Sequence, residues 1–288
     1  NNYKKSKLFR DKIQNEKFVK EGYCVIAIEN IDAITQIKEV YQQLRIDTKD
    51  IALYASNRYG YFDQNILIHN IIKDIFTSEL NKHFINYRFL IGHFLDKKAH
   101  SKIGLQLHQD WSITDERKYL SAHVWIPHQD CLIENGTLFA IPKSHKYFIN
   151  YRSGSLDIPR IDSNSILEKI TQPIIVRENE MIVFHPALFH GSFPNKTNVS
   201  RVATFINLLE FDAPLYYYHL NRENEIEVHT LTERALMSDL EKMISLEIPH
   251  DSVFVKNLGK REIDNNEINK WNLTFQYFKN KVGLLQKK

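Results

Sequence analysis

Residues 105–111 read LQLHQDW. In an extended strand alternate side chains share a face, so His108 and Asp110 point the same way, together with Gln106. Leu105, Leu107 and Gln109 take the other side. Burying an imidazole beside a carboxylate costs free energy unless both are satisfied, and a metal ion satisfies both. An ion pair on an edge strand is the competing explanation. Further along, residues 184–205 read FHPALFHGSFPNKTNVSRVATF and hold His185, His190, Ser192 and Arg201. Two neutral imidazoles and one carboxylate, with coordination positions left open, form the ligand set of non-haem iron. His108 and Asp110 supply two of the three ligands. A histidine from a later strand, His185 or His190, must supply the third.

Such residues need strands to hold them. From Tyr87 to Phe211 the chain breaks into short β-type runs at 87–95, 104–110, 119–127, 137–141, 172–176, 180–184, 188–193 and 201–211. Many short strands at this spacing predict a sandwich or a closed jelly-roll barrel. Asn135-Gly136 is a hairpin-type turn signal, and 151–165 reads as a long polar loop. Before this core, 22–30 is strand-like, while 31–46 and 65–84 carry apolar residues at helical spacing. Ile68, Ile71, Ile72, Ile75 and Phe76 form the stripe of the second helix. After the core come a strand at 224–230, a helix at 231–246 and a helix near 266–282. The expectation is a single domain, mainly β with flanking helices: 1–86 as helical support, 87–211 as core and 212–288 as an extension.

Composition narrows the function classes. At 288 residues, with 43% hydrophobic and 25% charged, the chain can bury a substantial core and is not a disorder candidate. A formal net charge of +3 with scattered lysines argues against nucleic acid or an anionic membrane as partner. No run of about 18 apolar residues is present, so no membrane span is expected, and the N-terminus lacks a signal-peptide pattern. Only Cys24 and Cys131 are present, which suits a reducing cytoplasm. No feature fixes an oligomeric state.

The order His-x-Asp, then a distant histidine, then an arginine eleven residues on, resembles the phytanoyl-CoA dioxygenase family of iron- and 2-oxoglutarate-dependent oxygenases. The block SAHVWIPHQDCLIENGTLFAIPKSHK (121–146) resembles that family's central region, and 184–205 its distal region. The resemblance implies a double-stranded β-helix (jelly-roll, cupin-like) core. It makes His108, Asp110 and His190 the iron(II) ligands; His185 lacks the spacing to Arg201. Arg201 would fork onto the far carboxylate of 2-oxoglutarate, helped by Ser192, with Trp125 nearby. By alternation Tyr119, Ser121, His123 and Trp125 share the interior face, and Ala203, Phe205 and Asn207 point the same way as Arg201. His123, Asn207 and Gln106 are candidate substrate contacts, as is Arg58 in the loop 54–65; its plain alternative is an exposed loop arginine.

The reaction implied is hydroxylation of an unactivated carbon, with O2 as oxidant and succinate and CO2 as co-products. The carboxylate at Asp110 argues for hydroxylation over halogenation. A small metabolite, amino-acid-derived or otherwise polar, is the expected substrate. A branched acyl-CoA hydroxylase and a non-catalytic metal-binding jelly roll are the alternatives.

Overall fold

The computed structural model describes residues 7–48, 51–146, 151–156, 170–238, 240, 243, 247–249 and 251–260. Strand β5 (Ser121–Pro127), for which chain order makes β1 Tyr23–Ala27, β2 Leu53–Ala55, β3 Tyr87–Lys97 and β4 Leu105–His108, is buried along its whole length. Both of its faces meet another layer. Ala122, Val124 and Ile126 pack outward against helices, while Trp125 joins a separate inner cluster. The remaining core strands are β6 (Leu138–Ala140), β7 (Gln172–Pro173), β8 (Glu180–Phe184), β9 (His190–Ser192) and β10 (Arg201–Glu210).

Two antiparallel sheets result, a six-stranded one ordered β1-β8-β5-β10-β3-β2 and a four-stranded one ordered β4-β9-β6-β7. Apart from the β6–β7 pair, successive strands from β3 to β10 cross from one sheet to the other. That is the jelly-roll pattern. Cross-strand register aligns the inner side chains of the large sheet in rows. Lys97 lies opposite Arg201, Phe205 opposite His93 and Trp125, and His123 opposite Asn207 and Phe184. A third sheet, β11 (Tyr216–Leu220), β12 (Glu225–Thr230) and β13 (Phe254–Lys260), follows the core.

The outer face of the large sheet is covered by α1 (Lys12–Glu21), α2 (Ile31–Gln43) and α4 (Phe62–His83); the short α3 (Ser56–Tyr59) follows β2. Ile68, Ile72, Phe76 and Leu80 recur every four positions on α4 and are fully buried. With Phe18, Ile34 and Ile37 they close over Val124, Val183 and Ile206 of the sheet. Removing that apolar surface from water is the main force holding the helices there.

The N-terminal segment does more than support the core, because β1 and β2 are edge strands of the main sheet. Helix α1, strands β2, β11 and β13, and helix α3 have no counterpart in the sequence expectations. Of the helix expected at 231–246, Glu233–Ser238 is described as helical. The helix expected near 266–282 lies outside the described residues, as does most of the loop 151–165. Both cysteines are buried and free. Among the described residues, no helix is long and apolar enough to cross a membrane.

Candidate active site

His108 ends β4, and the register places it directly opposite His190 on β9. Their ring centroids are 4.4 Å apart. Asp110 lies just past β4, its N–H donating to the Pro186 carbonyl at 2.9 Å. Its Oδ1 is 3.4 Å from His108 Nε2 and its Oδ2 is 3.5 Å from His190 Nε2. One donor atom from each of the three residues falls within 4.8 Å of the others. On both rings Nδ1 meets a carbonyl oxygen, Gln106 O at 2.8 Å for His108 and Leu188 O at 2.9 Å for His190. A carbonyl only accepts, so Nδ1 carries a hydrogen on both rings and Nε2 is the atom turned toward Asp110.

Protonation follows the same logic. Burial drives the His190 imidazole down to about 4, despite the pull of Asp110. For His108, burial is outweighed by the hydrogen bond and charge of Asp110, and its pKa rises. Burial also opposes ionisation of Asp110. The charge of His190 and hydrogen bonds from His108 and His123 nonetheless hold its carboxyl well below the usual range. Two oriented Nε2 atoms and an ionised carboxylate are a donor set that fits a divalent transition metal.

The neighbours of this triad hold it in place. His123 Nδ1 donates to Asp110 Oδ2 at 2.8 Å. Gln109 Nε2 donates to the Ala187 carbonyl at 2.5 Å, tying the Asp110 turn to the His190 strand. Arg152 Nε donates to the Asp110 carbonyl at 2.6 Å, and its Nη2 reaches both oxygens of Glu116, at 2.8 and 2.7 Å. Arg152 and Glu116 side chains are each only 1% exposed. The Ser112 N–H donates to the Arg152 carbonyl at 3.0 Å, and the Arg152 N–H donates to Ser112 Oγ at 2.9 Å, completing the clamp.

At the other end Arg201 lines the same cavity, and Lys97 lies buried beside it. Lys97 and Arg201 are opposite each other in register and are 0% and 1% exposed. Lys97 Nζ donates to Ser192 Oγ and to the Phe193 carbonyl, both at 2.6 Å. Burial, with the charge of Arg201 adding, lowers the Lys97 pKa to about 7. Arg201 spends one N–H on the Gly136 carbonyl at 3.3 Å, while its Nε and Nη1 have no partner, nor does Trp125 Nε1. The guanidinium lies 5.0 Å from the Trp125 ring. The Asn135-Gly136 turn is shaped to this corner. Gly136 has φ +87°, and a Cβ there would come within 2.8 Å of Phe193 O and 2.9 Å of Lys97 Cδ.

The cavity has a volume of about 290 Å³. His108, Asp110, His190, Arg201, Ser192, Trp125, His123 and Asn207, each singled out in the sequence, all line it. Two other candidates do not. Gln106 is solvent-exposed; the β4–β9 register is irregular between Leu105 and His108, and Leu105, itself exposed, borders the cavity instead. What Gln106 contributes is its carbonyl, to His108. Arg58 is exposed and sits over the Tyr59 ring; its neighbour Asn57 lines the cavity. His185 stays off the cavity wall. Its Nδ1 accepts the Ala187 N–H at 3.0 Å, and its ring packs beside His145 and Phe18. Sequence reasoning missed Lys97, His93 and the Arg152–Glu116 pair.

Comparison with known proteins places these features in a wider group. The family model described as phytanoyl-CoA dioxygenase (PhyH) matches residues 35–203. A phytanoyl-CoA dioxygenase of Arabidopsis thaliana is 33% identical over 111 residues, which is 36% of this chain and 38% of that protein. Among solved structures, EvdO2 from Micromonospora carbonacea var. aurantiaca, complexed with 2-oxoglutarate, has a TM-score of 0.50 at 15% identity. The match covers 69% of this chain and 91% of that one. The epimerase SnoN, in complex with Fe3+, alpha ketoglutarate and nogalamycin RO, has a TM-score of 0.52 at 13% identity, covering 71% and 85%. At these identities the two structures speak for the fold.

Proposed function

Because the chain belongs to the phytanoyl-CoA dioxygenase family, we propose that it is an iron(II)- and 2-oxoglutarate-dependent oxygenase hydroxylating an unactivated carbon of a small organic substrate. The observation that carries this reading is the buried Lys97–Arg201 corner. Neither cation is in an ion pair among the described residues, and two guanidinium nitrogens are left without partners. Stranding buried charge this way is costly. A carboxylate entering the corner removes the cost, since a guanidinium can fork onto both of its oxygens. A metal site with only a structural role has no use for such a corner.

In this reading His108, Asp110 and His190 hold the metal, and Arg201, Lys97 and Ser192 hold the far carboxylate of 2-oxoglutarate. Bound iron and 2-oxoglutarate supply the oxidising power for breaking an unreactive C–H bond, with O2 consumed and succinate and CO2 released. The protein contributes orientation. His123 and the Arg152 clamp fix the Asp110 carboxylate and backbone, and the Gln106 and Leu188 carbonyls fix the ring planes. Trp125 and Phe184 wall the cavity with apolar surface that keeps water from the site.

An anaerobic titration of iron(II) and 2-oxoglutarate tests the assignment, read by the weak visible charge-transfer band of the chelate. The wild-type protein is expected to develop the band, His190→Ala to lack it, and Arg201→Ala to need far more 2-oxoglutarate. No band at saturating iron and 2-oxoglutarate in the wild type overturns the proposal.

A further inference from the structure

We infer that the part of the cavity away from Arg201 takes a neutral, largely apolar guest and holds it by a hydrogen bond to His93. This rests on the oxygenase reading, since it presumes the metal and co-substrate ends are filled. The walls there are Ile91, Trp111, Ile113, Leu236 and Leu240, and the polar groups are His93, Asn57 and Asn207. Among the described lining residues the only formally charged side chains are Asp110 and Arg201, both already assigned. A phosphate, carboxylate or ammonium on the guest would lose its water there with no counter-charge to replace it. A free amino acid carries two such groups and fits worse than a neutral molecule.

His93 supplies the specific contact. It lies on the inner face of β3 opposite Phe205, with ring centroids 4.9 Å apart. It is 7% exposed, lines the cavity, and its Nδ1 has no partner. Burial pushes its pKa to about 3, so the ring is neutral and offers one donor and one acceptor. An unsatisfied buried ring nitrogen is costly. A guest hydroxyl, which both donates and accepts, suits it. The other side of Phe205 meets His123 at 4.9 Å, and His123 in turn touches Asp110. A group held at His93 is therefore one aromatic ring removed from the residues flanking the metal donors.

The test uses protein loaded with nickel(II) and 2-oxoglutarate, so that no turnover occurs, and four probes of one size. These are cyclohexanol, methylcyclohexane, cyclohexylammonium and cyclohexanesulfonate, with dissociation constants measured by NMR titration. Loading is measured first, and its failure in the wild type counts against the oxygenase reading itself. In loaded wild type, cyclohexanol is expected to bind about three- to tenfold more tightly than methylcyclohexane, and both ions more than tenfold more weakly than cyclohexanol. His93→Phe, which keeps an aromatic ring but no hydrogen bond, should erase the preference for alcohol over hydrocarbon; His93→Gln should restore part of it. Ions that bind as well as cyclohexanol overturn the inference. So does an alcohol preference that survives in loaded His93→Phe, or a loaded wild type that binds no alcohol.

Discussion

Lys97 and Arg201 face each other across neighbouring strands of the main sheet, both fully buried and neither paired with a carboxylate among the described residues. If 2-oxoglutarate fills the gap, removing one partner of the buried pair costs about 3–5 kcal/mol. Arg201→Ala should therefore weaken 2-oxoglutarate binding by roughly two to four orders of magnitude at about 1.4 kcal/mol per decade. Arg201→Lys should recover only part of it, because an ammonium lacks the planar two-pronged contact. Metal affinity should change far less. Calorimetric titration of both ligands into each variant reads this, and an unchanged 2-oxoglutarate constant in the alanine variant removes the co-substrate assignment.

The same corner predicts a pH dependence. Burial and Arg201 lower the free-state Lys97 pKa to about 7, so above that pH the amine is neutral before the ligand arrives. A dicarboxylate favours the charged amine and raises its pKa in the complex, so binding takes up a proton. The dissociation constant for 2-oxoglutarate should be flat below about pH 7 and rise by up to about tenfold per pH unit above it. Lys97→Met should flatten the profile. Measurement between pH 6.5 and 8.5 decides, and a wild-type profile as flat as that of Lys97→Met contradicts it.

His190 and His185 make a sharper pair. His190 Nε2 faces Asp110 at 3.5 Å, whereas His185 is packed behind the site against His145 and Phe18. His190→Ala should abolish specific nickel binding with a modest change in melting temperature. His185→Ala should leave nickel binding in place and lower stability by about 1–3 kcal/mol, the usual cost of disturbing a buried polar group. The opposite pattern would reassign the third ligand.

Periodicity explains which of these residues could be read in advance. Alternation along 119–127 places His123 and Trp125 on one face, and both line the cavity. The same rule, continued along YRFLIGHFLDK, puts Ile91, His93, Leu95 and Lys97 together, and would have found two missed residues. It fails at Gln106 because β4 pairs irregularly with β9, a property of the partner strand rather than of the local sequence. The joining of β1 and β2 to the main sheet is equally non-local. Helix α1 shows no broad apolar stripe, only Phe18 being buried, yet its ends carried signals. Asp11 caps Gln14 N at 2.7 Å, and Gly22 closes the helix at φ 87°.

Arg152 and Glu116 sit far apart in sequence, in segments without periodicity, and only the fold brings them together beneath Asp110. Their side chains are buried, and the pair braces the turn that carries Asp110, a proposed metal donor, and two cavity walls, Trp111 and Ile113. Arg152→Ala removes the guanidinium that meets both oxygens of the buried Glu116 carboxylate, and should cost about 3–5 kcal/mol of stability. It also frees the Asp110 carbonyl from its 2.6 Å donor, so metal affinity should fall by about 10–100-fold, as is usual when a supporting partner of a ligand is lost. The double variant Arg152→Met, Glu116→Leu separates these effects. Replacing a buried ion pair with apolar side chains of similar volume is often neutral or stabilising, so its urea midpoint should return near wild type. Its nickel affinity should not, because methionine cannot donate to the Asp110 carbonyl. If stability and nickel affinity recover together in the double variant, the clamp serves the fold alone and plays no part in setting Asp110.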